Sequence, residues 1–227
     1  MPKAPAAEAI DTLLFIQPAF IGDAILVSSL LESWHAAHPH TQIDLLVRKG
    51  NEALYAGHPF VREVLIWDKR QGKYRQLWRL LKRIRRTHYD FIVNPHRFAS
   101  SGLLTAFGGA RYAVGFQKNP LSRFFSERFE HSITTDPDSP HEIARNHRLI
   151  QRWVPSEPLL PKLYPTSRNR QKVSELIQQP FSVIAPSSVW ATKQLPFDKW
   201  TALIKAFPAD SQLYCIGAPS DRDLCER

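Results

Sequence analysis

The segment from Leu13 to Leu31 places the strongest constraint on the fold, because it joins a buried strand to a helix through one tight turn. The run from Leu13 to Ile16 is apolar throughout, which is typical of a strand covered on both faces. The turn at Ile21-Gly22-Asp23 leads into apolar residues at helical spacing. This order of strand, turn and helix predicts the first unit of a parallel α/β sheet.

Asp23 stands where the turn enters the helix, and two interpretations of it are open. Asp is a favoured N-cap, because its carboxylate accepts hydrogen bonds from the free N–H groups of the first helical turn. Alternatively, the carboxylate faces the crevice at the carboxyl ends of the strands, where open α/β sheets bind ligands. Gly22 beside it would let another group approach the backbone closely.

The sequence up to residue 154 repeats the alternation of apolar runs and helical patterns, which predicts a doubly wound parallel sheet. The further predicted strands are 43–47, 61–67, 89–94 and 112–116, and the predicted helices are 51–56, 69–88, 100–107 and 141–153. Gly108-Gly109 would end the helix at 100–107. Residues 117–128 and 134–140 are predicted to be loops.

Composition restricts the partners and the compartment. The chain of 227 residues has a formal net charge of +9, which favours an anionic partner such as phosphate, nucleic acid or a membrane surface. Its two cysteines, Cys215 and Cys225, lack metal-site spacing, so we expect ordinary thiols in a reducing compartment. The first residues lack the apolar core of a signal peptide. We therefore expect a cytoplasmic protein, with surface contact to a membrane left open.

The segment 69–88 is the most basic part of the chain. Apolar residues at helical spacing form one face, and the cations Arg75, Arg79, Lys82, Arg83 and Arg86 occupy much of the rest. One interpretation is the solvated face of a crossover helix, and a second is a landing surface for anionic lipid. Nucleic-acid binding is a third, which we rank lowest because no aromatic residues are interleaved on the basic face.

Polar residues also follow two other predicted strands. His96 and Arg97 follow the strand at 89–94 and would lie at the ligand edge, although a loop histidine that bonds to backbone explains the pattern equally well. The stretch from Ser187 to Lys193 follows a strand at 181–186 and combines hydroxyls with one ammonium group. Such a loop is suited to holding a phosphate, although it lacks the glycine spacing of a Walker A loop.

Four prolines between residues 155 and 165 predict a stiff, extended linker. We expect a first domain at 1–154, a linker at 155–166 and a second domain at 167–227. The second domain contains helical patterns at 169–179 and 197–207 but only two strand patterns, at 181–186 and 212–216. A sheet of two strands leaves an open edge, so the sequence predicts an incomplete second domain.

Three features together resemble the ADP-heptose:lipopolysaccharide heptosyltransferases of glycosyltransferase family 9. They are Ile21-Gly22-Asp23, the helix that begins near His141, and Ala185-Pro186-Ser187…Trp190…Lys193…Pro196…Trp200. The resemblance extends from Leu13 to the end of the chain. It implies the GT-B architecture of two Rossmann-like domains, the first for the acceptor and the second for the nucleotide-sugar donor. It also implies an inverting reaction that needs no metal or other cofactor.

The resemblance carries roles over to individual residues. Asp23 corresponds to the catalytic base, and we place Gly22, His96 and Arg97 on the acceptor side. The predicted donor residues share hydroxyl or charged side chains near strand ends, and they are Ser187, Ser188, Thr192, Lys193 and Asp221. Lys193 corresponds to the lysine at the donor diphosphate. A base for the acceptor hydroxyl and a cation for the departing diphosphate together fit a transfer reaction.

The chain also departs from the family pattern. Pro186-Ser187-Ser188 replaces a frequent Pro-Gly-Ser, Leu195 stands where tryptophan is frequent, and a later Asp-x-Gly…His segment of the donor site is absent. We predict a monomer that moves a heptose or related sugar from an ADP-sugar to the lipopolysaccharide inner core, at the inner face of the cytoplasmic membrane. The alternative is a non-catalytic domain that docks on anionic lipid or a lipopolysaccharide precursor.

Overall fold

The computed structural model describes residues 3–70, 72–132, 139–177, 179–188, 190–208 and 212–226. The chain divides into two compact units, Met1–Thr166 and Ser167–Arg227, and both are of the α/β class. Most of the predicted loop at 134–140 lies outside the described residues. No helix in the described ranges is long and apolar enough to cross a membrane.

The first unit is built on a six-stranded sheet in which every described pairing is parallel. Its elements are β1 (Thr12–Gln17), α1 (Ile21–Leu26), α2 (Ser28–Ala37), β2 (Gln42–Arg48), β3 (Val61–Trp67), α3 (Lys73–Thr87), β4 (Phe91–Asn94), α4 (Ala99–Phe107), β5 (Tyr112–Phe116), β6 (Glu127–Phe129) and α5 (Glu142–His147). The strand order is β3-β2-β1-β4-β5-β6. This doubly wound order reverses direction between β1 and β4, where such sheets bind ligands.

Strand β1 lies at the centre of this sheet and is buried on both faces. It pairs with β2 through Leu13↔Ile43 and with β4 through Leu13↔Phe91. Side chains from alternate positions enter two separate cores. Phe15 packs with Trp34 of α2 on one face, while Leu14 packs with Ile84 of α3 on the other. The continuous apolar run is therefore explained by helices on both sides.

The predicted strands and crossover helices of the first unit are confirmed, with two corrections, and the short helix predicted at 51–56 is a 3₁₀ helix at Glu52–Tyr55. The irregular loop predicted at 117–128 is wrong in part, because β6 begins at Glu127 and pairs in parallel with β5 through Val114↔Glu127. A strand of three residues is too short to show a periodic pattern. The long helix predicted at 141–153 is also wrong: α5 ends at His147, and the chain continues in turns that still bury Ile150 and Val154.

Two buried acids hold the amino-terminal half of the sheet. Asp90 accepts hydrogen bonds from the backbone and hydroxyl of Thr12 at 3.0 and 2.9 Å, and it forms an ion pair with Arg111 at 3.1 Å. Asp44, whose side chain is 1% exposed, accepts two bonds from Arg62 at 2.9 and 2.6 Å and a further one from a tyrosine hydroxyl. Both carboxylates are fully engaged inside the fold, as buried charges must be.

The proline-rich segment 155–166 packs against α2. Leu159 donates its N–H to Ser33 Oγ at 2.9 Å and accepts from Ser29 Oγ at 2.5 Å. Lys162 N donates to Ser28 Oγ at 3.0 Å, and the Tyr164 hydroxyl donates to Glu32 at 3.0 Å. Serine hydroxyls on one face of α2 thus form hydrogen bonds with backbone N–H and carbonyl groups of this extended segment, which does not pair with the described strands.

The second unit contains α6 (Ser167–Leu176), β7 (Phe181–Ile184), α7 (Phe197–Lys205), β8 (Gln212–Cys215) and α8 (Arg222–Cys225). Its described sheet has two strands, which pair in parallel through Val183↔Tyr214. The apolar side chains of Phe181 and Val183 are about half exposed, because a sheet of two strands covers little of its own faces. Leu203 of α7 is also exposed.

The packing of the segment 155–166 on the first unit generates a stability prediction. A Cβ at Gly57 would lie 2.5 Å from the backbone oxygen of Tyr164, so Gly57→Ala must displace this segment. We expect the free energy of unfolding to fall by about 1–3 kcal/mol, as overpacking usually costs. Urea titration followed by circular dichroism measures this change.

Gly22→Ala is the matched control, because a Cβ there meets nothing within 4 Å. Alanine also favours helix over glycine by about 0.5–1 kcal/mol, so this variant should unfold at the same or a higher urea concentration. Equal stability of the Gly57→Ala and Gly22→Ala variants would contradict the close packing of Tyr164 on Gly57.

Candidate functional site

A crevice of ≈490 Å³ lies at the carboxyl edge of the first unit's sheet, where the strand order reverses. The segment Pro18–Phe20 after β1 forms one wall, and residues 96 and 98–100 after β4 form the other. Arg48 from the end of β2 and Lys69 from beyond β3 complete the lining. The crevice combines two aromatic rings, Phe20 and Phe98, with cationic side chains.

The cations of the crevice are held by aromatic rings. The Arg48 guanidinium lies 5.0 Å from the centroid of Phe20, and the Lys69 ammonium lies 4.5 Å from that of Trp67. A second hollow of ≈360 Å³ shares Arg48 and Lys69 with the crevice and adds Lys49 and Arg70. This concentration of positive charge in a concave site favours an anionic ligand.

His96 lies in the crevice wall and is buried by a hydrogen-bond network. Its Nδ1 lies 2.8 Å from Ser101 Oγ, and its backbone N–H donates to Asn94 Oδ1 at 2.9 Å. Asn119 Nδ2 donates to the carbonyl oxygens of His96 and Phe98, each at 3.1 Å. The loop after β4 is therefore fixed by side chains from β4, α4 and the segment after β5.

The same network determines the tautomer of His96. Ser101 Oγ lies 2.9 Å from the carbonyl oxygen of Phe98 and 3.2 Å from that of His96, and both oxygens can only accept. The single hydroxyl hydrogen points to one of them, so Nδ1–H must donate to Ser101 Oγ. Burial, together with Lys69 and Arg97, lowers the pKa of His96 to about 4. His96 is thus neutral at pH 7, with Nε2 free to accept a hydrogen bond.

Asp23 is the third residue of α1 and does not cap it. The N-cap position belongs to Phe20, and no side chain makes a cap hydrogen bond there. The N-cap interpretation is wrong because the helix begins at Ile21, so Asp23 lies three residues beyond the N-cap position. Asp23 is partly exposed, and its carboxylate has no hydrogen bond or ion pair with any residue that the structure describes.

The structure places the other predicted acceptor residues around this crevice in different ways. His96 lines it, and Arg97 follows as an exposed neighbour. Gly22 is exposed in the first turn of α1, two residues beyond the lining residue Phe20. Sequence reasoning missed Arg48 and Lys69. Both follow the same rule as Asp23 and His96, because each lies at or just beyond the carboxyl end of a parallel strand.

Two predicted donor residues of the second unit lie in contact. Ser187 and Asp221 follow the paired strands β7 and β8, and Ser187 Oγ donates to Asp221 Oδ2 at 2.7 Å. The same oxygen accepts from the backbone N–H of Ala218 at 2.8 Å, and Ser220 Oγ lies 3.3 Å from Oδ1. These bonds, with the one from Ser187 foremost, lower the pKa of Asp221. Asp221 is therefore an anion that orients the Ser187 hydroxyl.

The remaining predicted donor residues lie on the loop after β7. Ser188 Oγ accepts from Trp190 N at 3.3 Å, and the Ser188 carbonyl accepts from Gln194 Nε2 at 2.6 Å. Thr192 and Lys193 are exposed on the short 3₁₀ turn Ala191–Lys193. In the described part of the chain, no group of three or more His, Cys, Asp or Glu side chains is placed to hold a metal ion.

The fold is similar to that of solved glycosyltransferase structures. The glycosyl transferase family 9 protein from Veillonella parvula is 15% identical with a TM-score of 0.77, and the match covers 95% of this chain and 65% of that one. The E. coli ADP-heptose lps heptosyltransferase II is 18% identical with a TM-score of 0.72, covering 93% and 66%. The chain thus spans about two thirds of the length of these structures.

A third solved structure, E. coli heptosyltransferase WaaC with ADP, is 16% identical with a TM-score of 0.70, and the match covers 93% of this chain and 69% of that one. No curated protein sequence matches the chain. The model of glycosyltransferase family 9 (heptosyltransferase) matches residues 77–227, which is more than half of the sequence. These residues include β4, β5 and both parts of the second unit that carry Ser187 and Asp221. The chain belongs to glycosyltransferase family 9.

Proposed function

We propose that this protein transfers a heptose or related sugar from an ADP-sugar to a lipopolysaccharide-core acceptor, with inversion at the anomeric carbon. Membership of the heptosyltransferase family supports the reaction class. Two structurally similar E. coli structures of WaaC contain ADP and ADP-2-deoxy-2-fluoro heptose, which supports the choice of donor. The protein would act as a monomer in the cytoplasm, in peripheral contact with the inner face of the cytoplasmic membrane.

The observation that carries this proposal is the state of Asp23. Its carboxylate follows the central strand at the ligand edge, is partly exposed, and has no partner among the described residues. Asp44 and Asp90, by contrast, each accept several bonds within the fold, away from the ligand edge. An unengaged carboxylate at a ligand edge is suited to accept a proton from a substrate hydroxyl.

The crevice beside this edge would hold the acceptor. A lipopolysaccharide core carries negative charges, and Arg48 and Lys69 supply oriented cations for them. Neutral His96 would accept a hydrogen bond from a sugar hydroxyl at Nε2, while exposed Arg97 would add a further positive charge. Gly22 leaves open space above the first turn of α1, so an acceptor could approach the backbone there.

The second unit would hold the donor. Lys193, with Ser188 and Thr192 nearby in sequence, would bind the diphosphate, whose negative charge grows as the bond to the sugar breaks. Ser187 already gives its hydroxyl hydrogen to Asp221, so its oxygen would accept rather than donate. Asp221 would accept hydrogen bonds from hydroxyl groups of the donor. In the reaction the acceptor oxygen attacks the anomeric carbon, Asp23 takes the hydroxyl proton, and ADP leaves.

A second candidate function is a non-catalytic domain that docks on anionic lipid or a lipopolysaccharide precursor. The specific observation in its favour is the exposed basic face of α3. Measurement of ADP and ADP-sugar binding by calorimetry discriminates between the two functions. Saturable binding to the 227-residue chain favours the transferase, and lack of binding favours the docking domain.

The role of Asp23 predicts the effect of Asp23→Asn. The amide retains the shape of the side chain but cannot accept the proton, so sugar transfer should fall by about 10²–10⁴-fold, the usual contribution of a general base. Transfer is measured as ADP release that depends on both donor and acceptor. Asp11→Asn is the matched control, because it removes the same charge from an exposed residue just before β1, at the opposite edge of the sheet. Undiminished turnover in Asp23→Asn would refute the assignment of the base.

The role of Lys193 predicts weaker donor binding in Lys193→Ala. A charged hydrogen bond contributes about 1.5–3 kcal/mol, so the dissociation constant for ADP-sugar should rise by about tenfold to a hundredfold. Isothermal calorimetry measures it directly. Lys199→Ala removes an equally exposed ammonium from α7 and should leave donor affinity unchanged. Equal affinities in both variants would remove Lys193 from the donor site.

The neutrality of His96 predicts a specific dependence of stability on pH. Its pKa is about 4 in the folded chain and 6.5 in the unfolded chain, so the unfolded state binds more protons between these values. The stabilisation is therefore complete above pH 6.5 and declines as the pH falls towards 4. From pH 7 to pH 5, His96 alone should lower the free energy of unfolding by about 2 kcal/mol.

Urea unfolding at both pH values tests this prediction by comparing His96→Gln with the parent protein. Burial also lowers the pKa values of His58 and His131 to about 4, so part of the decline should persist in His96→Gln. The decline should nevertheless be shallower than in the parent. The exposed His40 provides the control, since His40→Gln should keep the parental slope. An unchanged slope in His96→Gln would show that His96 is not held neutral.

A further inference from the structure

We propose that the outward face of α3 docks on an anionic phospholipid surface. This supplies the membrane contact that the proposed function calls for, and in that respect it rests on that function. Docking itself depends only on the charges and exposed side chains of α3. Seven cations and no acid occur within this helix: Lys73, Arg75, Arg79, Lys82, Arg83, Arg85 and Arg86.

Four of these cations form one stripe along the helix. Arg75, Arg79, Lys82 and Arg86 follow one another at intervals of four, three and four residues, which places them on one side of a helix with 3.6 residues per turn. The buried residues lie on the opposite side, and they are Leu77, Leu80, Leu81 and Ile84. The stripe is thus the part of α3 farthest from the sheet, and it rises about 17 Å along the axis.

The stripe is not neutralised within the fold. Arg83 pairs with Glu63 of β3, and Arg85 lies 3.5 Å from the carbonyl oxygen of Phe107. The four stripe cations have no hydrogen bond or ion pair with the residues that the structure describes. Like charges repel one another along such a stripe, so an anionic surface that approaches it both gains attraction and relieves repulsion.

The stripe also borders a concave surface suited to a headgroup. A hollow of ≈440 Å³ is lined by Arg79, Lys82, Arg83 and Arg86, together with Thr87. Arg79, Lys82 and Arg86 pair with no described residue, so three cations around this hollow can donate to a lipid phosphate, whose oxygens only accept hydrogen bonds when ionised.

Two aromatic side chains flank the stripe and indicate a membrane rather than a nucleic acid. Trp78 is 60% exposed and Tyr74 is 73% exposed, and they lie one helical turn apart. Trp and Tyr prefer the membrane–water interface, where an apolar ring meets a polar layer. Nucleic-acid surfaces instead place aromatic rings among the basic residues, where bases stack on them. Here the rings lie beside the cations, as an interfacial helix requires.

The proposal is tested by partitioning of the full chain onto vesicles. Wild-type protein should bind phosphatidylglycerol–phosphatidylcholine vesicles and not pure phosphatidylcholine vesicles, and added salt should weaken the binding. In the triple variant Arg79→Gln/Lys82→Gln/Arg86→Gln, each lost cation should cost about fivefold, so partitioning should fall on the order of a hundredfold. Trp78→Ala leaves the charge unchanged and should also reduce partitioning.

The matched control is Arg168→Gln/Arg170→Gln/Lys172→Gln, which removes three exposed cations from α6 and gives the same net charge. It should keep wild-type partitioning. Equal losses in both triple variants, or no preference of the wild type for anionic vesicles, would overturn the proposal. Tighter binding of a single-stranded oligonucleotide than of vesicles, lost in the α3 variant, would overturn it in favour of nucleic acid.

A separate readout distinguishes this proposal from the proposed function. Sugar transfer to a water-soluble acceptor fragment does not require a membrane, so the α3 triple variant should transfer at the wild-type rate. Transfer without vesicle binding would refute only the docking face. Vesicle binding without transfer would refute only the transferase. Circular dichroism of all variants should match the wild type, since every substituted residue is exposed.

Discussion

The pairing of β1 between β2 and β4 is the constraint on which the rest of the first unit depends. Because β1 is covered on both faces, it accepts only apolar side chains from Leu13 to Ile16, and it fixes the two strands beside it. The connections from these central strands pass to opposite faces of the sheet, so the loops after β1 and β4 separate. The crevice between Phe20 and Phe98 follows from this topology, before any catalytic side chain is considered.

The aspartates at the two edges of this sheet differ in how many bonds they make within the fold. Asp90 and Asp44 lie towards the amino ends of their strands, and each is bound by neighbours that would be left unpaired without it. Replacement of Asp44 would leave the buried Tyr89 hydroxyl without its acceptor, and replacement of Asp90 would do the same to the N–H and hydroxyl of Thr12. Leaving a buried donor unpaired is a costly change in a protein. Asp23 makes no such bond with the residues that the structure describes, so the fold depends much less on its carboxylate. This contrast is a physical reason to assign stability to the first pair and chemistry to Asp23.

The elements that the sequence predicted correctly have long hydrophobic patterns within one segment of the chain. It missed the elements that form only by pairing with a segment distant in sequence. Runs rich in apolar and β-branched residues identified β1 to β5, and the four buried positions of α3 follow directly from helical spacing. Strand β6 consists of three residues whose assignment depends on pairing with β5, which no local pattern reveals. The residues Asp23, His96 and Ser187 were found because each follows a strand. Only the three-dimensional structure shows which partners these residues bind. Ser187 contacts Asp221, which is distant in sequence, and His96 contacts Ser101 and Asn119, which are two among many polar residues nearby.

The two basic surfaces of the first unit differ in how their cations are held, and this difference separates their roles. Arg48 and Lys69 lie against aromatic rings, so they lose little side-chain entropy when a ligand binds and can select its geometry. Among the described residues, no aromatic ring is seen to hold the cations of the α3 stripe, and these side chains are exposed, which favours rotamer freedom. Mobile cations on long stems adapt to a fluid array of headgroups, whereas they discriminate poorly among rigid ligands. The pair held in the crevice and the exposed stripe on α3 are therefore physically suited to the two tasks that we propose, which are recognition of one acceptor and attachment to a surface.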